Sequence, residues 1–298
     1  MDKVTGPLAP RRGIATAVRK LREDSGKVLA DVARDLMIST SKLSRLENAQ
    51  GKPLPRDIKD IISYYGIEGT PLADRLRQWV AAAQQPGWWT DFDDEILGPV
   101  LGGLGLDAHL AYEAGAAVER TYTLPFLPAL LQTPDYARAI FRDMEHRSDD
   151  EIEKLVNLRI RRQQALSHRE GLDPLRLVAV THESSLHQAV GSPEILQAQL
   201  DALLERSEAE NITLHVLPFT AQPVFTMTCM YAYFEYQDDN DLEQDVVHIE
   251  THAGYWSIEN PDKVAEYRKA HDALVEASLS ADDSRELIRS LRNRVPHA

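Results

Sequence analysis

Ser41, Ser44, Arg45 and Asn48 lie close together in a segment whose apolar residues are spaced for a helix. Counting about 100° per residue from Leu43, Leu46 and Gln50 fall within about 60° of it, and these four side chains share the opposite arc. That arc holds two hydroxyls, a forked cation and an amide, and no acid. Such groups suit base edges in a major groove, arginine with guanine and asparagine with adenine. Thr40, Lys42 and Lys52 flank them and suit backbone phosphates. Glu47 falls on the inward arc beside Leu43, which makes it structural.

Other clusters carry less chemistry. His182-Glu-Ser-Ser-Leu-His187 resembles a zinc-binding helix, but histidines five residues apart diverge by about 140° and cannot share one tetrahedral ion. His248, Glu250 and His252 alternate as strand residues on one face do, and polar residues on a sheet face explain them better than a metal site. Gly103-x-Gly105-x-x-Ala108 copies part of a dinucleotide fingerprint without the preceding strand that would give it meaning. No G-x-S-x-G and no Cys-His pairing supplies a nucleophile. Neither metal nor cofactor is therefore expected. Trp89, Glu113, Glu183, Tyr231, Tyr233 and Glu250 are acids and aromatics in apolar surroundings. If they converge, they form an effector pocket for a cationic or hydroxyl-bearing ligand.

The element that must position the first cluster is Leu29–Leu46, LADVARDLMISTSKLSRL. Val32, Leu36, Ile38, Leu43 and Leu46, with small Ala33 among them, describe two short helices sharing a core face across a turn at Met37-Ile38-Ser39. Ser39 is placed to cap the second helix. Helices are also expected at Ile14–Glu23 and Asp57–Tyr65, and a proline-stiffened loop at Gly51–Pro55. Arg11 and Arg12 follow a flexible lead, where they either reach phosphate or keep the tail solvated.

Together these residues, about 11–68, resemble the Xre (Cro/C1-type repressor) helix-turn-helix domain, above all in the S-x-L-S-R-L-E run from Ser41 to Glu47. The resemblance implies binding to double-stranded DNA. Two departures stand out. Leu29 replaces the glutamine that usually touches the DNA backbone, and Met37 replaces the usual turn glycine, where a side chain at positive φ costs about 1 kcal/mol.

Charge supports a division of labour. The chain of 298 residues carries a net charge of −14, yet residues 1–70 carry +4 and the remainder −18. A basic small domain on an acidic body suits one end that meets phosphate and another that does not. A single cysteine, Cys229, excludes an internal disulfide framework and, with an N-terminus lacking an apolar signal core, points to a reducing cytoplasm. No apolar run approaches the ~20 residues of a membrane span.

The expected organisation is a mainly α N-terminal helix-turn-helix domain over residues 1–70, a helical linker over 71–87, and an α+β C-terminal domain over 88–298. The amphipathic run Leu72–Gln84 lies in that linker, where it either packs against the N-terminal domain, connects to the next one or dimerises. In the C-terminal domain, helices are expected from the Thr133-Pro134 cap, over Asp149–Ser167, Glu194–Ala209 and Pro261–Ser278, and from Ser280 to Arg294. Strands are expected at Leu175–Thr181, Ile212–Leu217, Phe225–Tyr236, Val246–Glu250 and Tyr255–Ile258. Arg159, Arg161, Arg162 and Arg169 read as a solvated, salt-bridged helix face rather than a second DNA site.

Trp88-Trp89, Leu131–Arg138 (LQTPDYAR), Glu183, Asn211–Phe219, Val247–Thr251 and the Ser280-x-x-x-Ser284 helix start resemble, block by block, the C-terminal domain of antitoxin-like Xre regulators from filamentous actinomycetes. That resemblance implies a transcriptional regulator working with a small partner protein encoded nearby, and supplies no catalytic residue. The expectation is a homodimeric, non-enzymatic DNA-binding regulator placing two recognition helices one duplex turn apart. The alternatives are a protein adaptor or ligand sensor that never touches DNA and, further off, a metal-dependent enzyme at His248, Glu250 and His252.

Overall fold

The computed structural model describes residues 7–92, 105–143, 147–169, 172–222, 229–236, 244–251 and 254–295. These residues divide into two compact units. The first takes in the described chain up to Asp91, with Asp107–Gly115, Tyr236 and Gln244; the second holds the rest.

Five helices build the first unit: α1 (Leu8–Asp24), α2 (Leu29–Asp35), α3 (Thr40–Glu47), α4 (Pro55–Tyr64) and α5 (Pro71–Ala82). Ile14, Val18, Val32, Ala33, Leu43, Ile58, Ile61 and Leu76 form one buried cluster, so each helix contributes the apolar stripe its periodicity displays. Ser39 caps α3 by accepting from the Lys42 N–H at 3.1 Å, as expected. Two differences from the sequence reading have simple causes. The first helix starts at Leu8, which buries Arg11 and Arg12; the Arg12 guanidinium lies 5.6 Å from the Tyr112 ring centroid. The run expected as a linker is a fifth core helix, because Ala73, Leu76, Trp79 and Val80 point into the same cluster. Helix α6 (Leu106–Glu113) joins this unit from Asp107 onward, and the Tyr236 hydroxyl donates to the Tyr112 carbonyl at 3.0 Å.

Helices α1 to α4 end alike. In each, the two residues after the C-cap donate backward to helical carbonyls: Gly26 and Lys27, Met37 and Ile38, Ala49 and Gln50, Gly66 and Ile67. That turn needs a left-handed residue. Glycine supplies it at φ 66° and 61°, whereas Met37 and Ala49, on either side of α3, each sit at φ 54°.

In the second unit the described strands β1 (Val118–Thr123), β2 (Arg176–His182), β3 (Ile212–Leu217), β4 (Tyr231–Glu235), β5 (Val246–Thr251) and β6 (Gly254–Ile258) form one sheet in the order β3-β2-β1-β4-β5-β6. The β1–β2 and β2–β3 pairs are parallel and the other three antiparallel. Helices α7 (Pro134–Arg142) and α8 (Asp149–Gln163) connect β1 to β2, and α9 (Glu183–His187) and α10 (Pro193–Arg206) connect β2 to β3. Helix α11 (Pro261–Ala277) buries Val264 and Leu274 against Tyr122, Val180, Tyr231, Tyr233 and Val247 on one face of the sheet. Helix α12 (Ala281–Arg292) closes the β3 edge: its Ser284 hydroxyl accepts from the Val216 N–H at 2.9 Å, and the Leu279 N–H donates to the Val216 carbonyl at 2.9 Å. The C-terminal unit is therefore a mixed α/β arrangement.

Candidate nucleic-acid interface

Helix α3 presents its polar arc outward, with Thr40, Ser41, Arg45 and Asn48 exposed and Ser44 half-buried, while Leu43 is fully buried. Gln50 lies past the helix end and is exposed. Among the described residues nothing hydrogen-bonds or pairs with the Arg45 guanidinium, nor with the hydroxyls of Thr40 and Ser41. These are the groups available to an incoming ligand.

The far end of α3 is held from α1. Glu47, only 4 % exposed, receives Arg22 through Nε at 2.8 Å to Oε1 and Nη2 at 2.8 Å to Oε2. The hydrogen bond to Glu47 raises the Arg22 pKa further. Arg19 donates through one nitrogen to the Glu47 carbonyl at 2.6 Å and to Asn48 Oδ1 at 2.7 Å. The Asn48 amide in turn donates to the Ser44 carbonyl at 2.7 Å. Sequence reasoning recognised Glu47 as structural but did not find its partners. An acid on the core arc of α3 calls for a cation, and the Arg19/Arg22 pair, one α-helical step apart on α1, was the available signal.

The lysines expected at phosphates each have a partner within the chain. Lys42 pairs with the buried Asp57 carboxylate, Nζ to Oδ1 at 2.7 Å, which ties α3 to the first turn of α4. Lys52 donates to the Gln84 carbonyl at 2.8 Å while the Gln84 amide donates to the Pro53 carbonyl at 2.6 Å, so the Gly51–Pro55 loop is fastened to the end of α5.

Of the six residues expected to line an effector pocket, the four in the second unit do not converge within it. Trp89, 1 % exposed, and Glu113, 3 % exposed, belong to the first unit. The other four belong to the second and spread over it. Tyr231 and Tyr233 share a face, but their hydroxyls meet His271 Nδ1 at 2.9 Å and Asp245 Oδ2 at 2.6 Å. Burial raises the pKa of both phenols. Ile249 pairs with Tyr231 across β4–β5, so the next residue, Glu250, turns to the opposite face. Glu183 accepts from the Phe219 N–H at 2.8 Å and joins the exits of β2 and β3.

His248 is buried, stacks on Tyr255 at 5.2 Å, and is pushed down to about 3 by desolvation. His252, Gly103 and Phe225 lie outside the described residues. Two of the α8 arginines, Arg159 and Arg162, correct a further expectation, because they turn inward. Arg162 is 6 % exposed, and Arg159 donates to Gln132 Oε1 at 2.5 Å with its guanidinium 4.6 Å from the Phe141 ring centroid.

The paired short helices α2 and α3, carried on α1, α4 and α5, define a helix-turn-helix protein, and residues 14–76 match a helix-turn-helix domain family, which suggests DNA binding. Residues 106–290 match a domain of unknown function, DUF5753. That match covers more than half of the chain, and the chain belongs to the DUF5753 family. No curated protein and no solved structure matches it. No helix among the described residues is long and apolar enough to cross a membrane.

Proposed function

We propose that this chain is an Xre-type, sequence-specific regulator of transcription, a cytoplasmic homodimer on double-stranded operator DNA. The observation that carries the reading is the exposed arc of α3, where Arg45, Thr40 and Ser41 have no partner among the described residues while the helix behind them is held by Arg19, Arg22 and Lys42. A rigid support under unengaged donors is what reading base edges requires. The +4 charge of residues 1–70 against −18 over the rest favours approach to DNA by that end. Binding two half-sites one turn apart calls for two copies. The DUF5753 part would regulate, by taking up a small partner protein or an effector, as its resemblance to antitoxin-like regulators implies, and the chain would have no catalysis of its own.

Equilibrium binding of the purified protein to the duplex upstream of its own coding sequence, against a scrambled duplex and across a salt series, tests the proposal. Preferential binding that weakens steeply with salt is the expected result. Equal affinity for both duplexes would overturn it.

A further inference from the structure

We infer that Asn48 positions the recognition helix instead of reading a base, that Arg19 on α1 is the partner through which it does so, and that base reading by α3 falls to Thr40, Ser41 and Arg45. The inference rests on the DNA-binding reading above and narrows it.

An asparagine reads adenine by accepting from the N6 amino group with its oxygen and donating to N7 with its nitrogen. Both ends of the Asn48 amide are already in use. Its nitrogen donates to the Ser44 carbonyl at 2.7 Å, one helical turn back, and lies 3.4 Å from the Ser44 hydroxyl. The oxygen accepts from Arg19 at 2.7 Å, a bond strengthened by the arginine's charge. That Arg19 nitrogen also takes the Glu47 carbonyl at 2.6 Å. One guanidinium thus binds the last residue of α3 and its C-cap, at the end where helical carbonyls have no partner of their own.

The backbone reinforces this end. Asn48 is the C-cap of α3, and Ala49 follows in the left-handed region at φ 54°, turning the chain away. To reach a base, Asn48 would give up a charge-assisted bond and a bond that closes the helix, and both would be lost together. Thr40, Ser41 and Arg45 give up nothing.

The test is selection of bound sites from a randomised duplex library by the full chain, comparing wild type with five variants. Arg45→Ala is expected to flatten preference at one base pair, by about 10-fold or more. Asn48→Ala and Arg19→Met are expected to lower affinity for the best site about 3- to 30-fold with the preference at every base pair unchanged. Arg19→Lys should restore part of that affinity, since it returns one donor to the same two oxygens. Asn48→Asp keeps the acceptor that Arg19 needs and removes the donor that adenine N7 needs, so its preferences should match wild type, and it covers the case in which Asn48→Ala does not fold. Loss of preference at a single base pair in Asn48→Ala or Asn48→Asp would overturn the assignment. A wild-type chain that enriches no sequence would overturn the DNA-binding reading itself, a different outcome from either.

Discussion

Arg22 on α1 grips Glu47 on the last turn of α3 with two parallel hydrogen bonds of 2.8 Å, and the carboxylate is 4 % exposed. The pair anchors the helix-turn-helix unit, because it fixes α3 against α1, which also packs on α5. Buried charge pairs are costly to break from one side, since the remaining charge stays desolvated. Glu47→Ala is expected to destabilise the unit by about 3–5 kcal/mol. The double variant Arg22→Met, Glu47→Leu should lose much less than the two single changes combined. Chemical denaturation of the three variants gives the coupling; additivity would show that the pair does not act as a unit.

Met37 and Ala49 hold left-handed turns that glycine holds at Gly26 and Gly66. Met37 is 91 % exposed, so replacing it sacrifices no packing. Met37→Gly and Ala49→Gly should each raise stability by about 0.5–1 kcal/mol, the relieved strain outweighing the added freedom of the unfolded chain. A shift of the denaturation midpoint to lower denaturant would contradict this.

Gly13 on α1 faces the Trp79 ring of α5, and a Cβ built on it would lie 2.8 Å from that ring. Alanine at this position, ordinarily a helix-stabilising change, is expected to cost about 1–3 kcal/mol. Combining Gly13→Ala with Trp79→Leu should recover part of the loss caused by the clash, as read by thermal unfolding. No recovery would mean that the α1–α5 seam is not what resists the methyl group.

Ser284 supplies the acceptor for the buried N–H of Val216 on the β3 edge. Ser284→Ala leaves that donor unpaired and should destabilise the C-terminal unit by about 1–3 kcal/mol. Faster amide exchange at Val216 is the local signature, and unchanged exchange would place the bond outside the edge's protection.

His248 and His271 are both buried, and desolvation pushes each down to about 3, well below the ordinary histidine value. Their folded pKa values lie below the unfolded one, so the unfolded chain binds more protons between the two. Stability is then complete above the unfolded value of about 6.5 and falls as pH drops toward 3, with a slope near 1.4 kcal/mol per pH unit for each histidine at its steepest. Melting temperatures between pH 7 and pH 5 measure the effect. His271→Gln should flatten the slope relative to wild type, and an unchanged slope would remove that histidine from the account.

The helix-turn-helix hairpin, the caps Ser39, Thr133 and Ser280, and the Ile212–Leu217 strand were legible in the sequence because each rests on contacts three or four residues away or on a strict alternation. Strand β1 was not. Val118-Glu-Arg-Thr-Tyr-Thr123 carries two charges in six residues and is not among the expected strands, yet it is central, with β2 on one side and β4 on the other and Glu119 buried. Its burial is decided by its neighbours. The residue blocks singled out in the C-terminal domain also acquire physical roles only in three dimensions. Gln132 donates to the Leu127 carbonyl at 2.7 Å, Asn211 spans the Leu166 and Leu175 carbonyls at 2.9 and 2.8 Å, and Glu183 ties Phe219.

Thus local spacing determined that α2 and α3 form and which arc of α3 faces out, since period and capping act within a few residues. Only tertiary structure decided which side chains on that arc remain unengaged, because Arg19, Arg22, Asp57 and Gln84 come from chain segments 15 to 32 residues away and claim Asn48, Glu47, Lys42 and Lys52. It also turned Glu250 to the face of the sheet opposite Tyr231 and Tyr233, since sharing a site depends on strand register and face, which a linear sequence does not display.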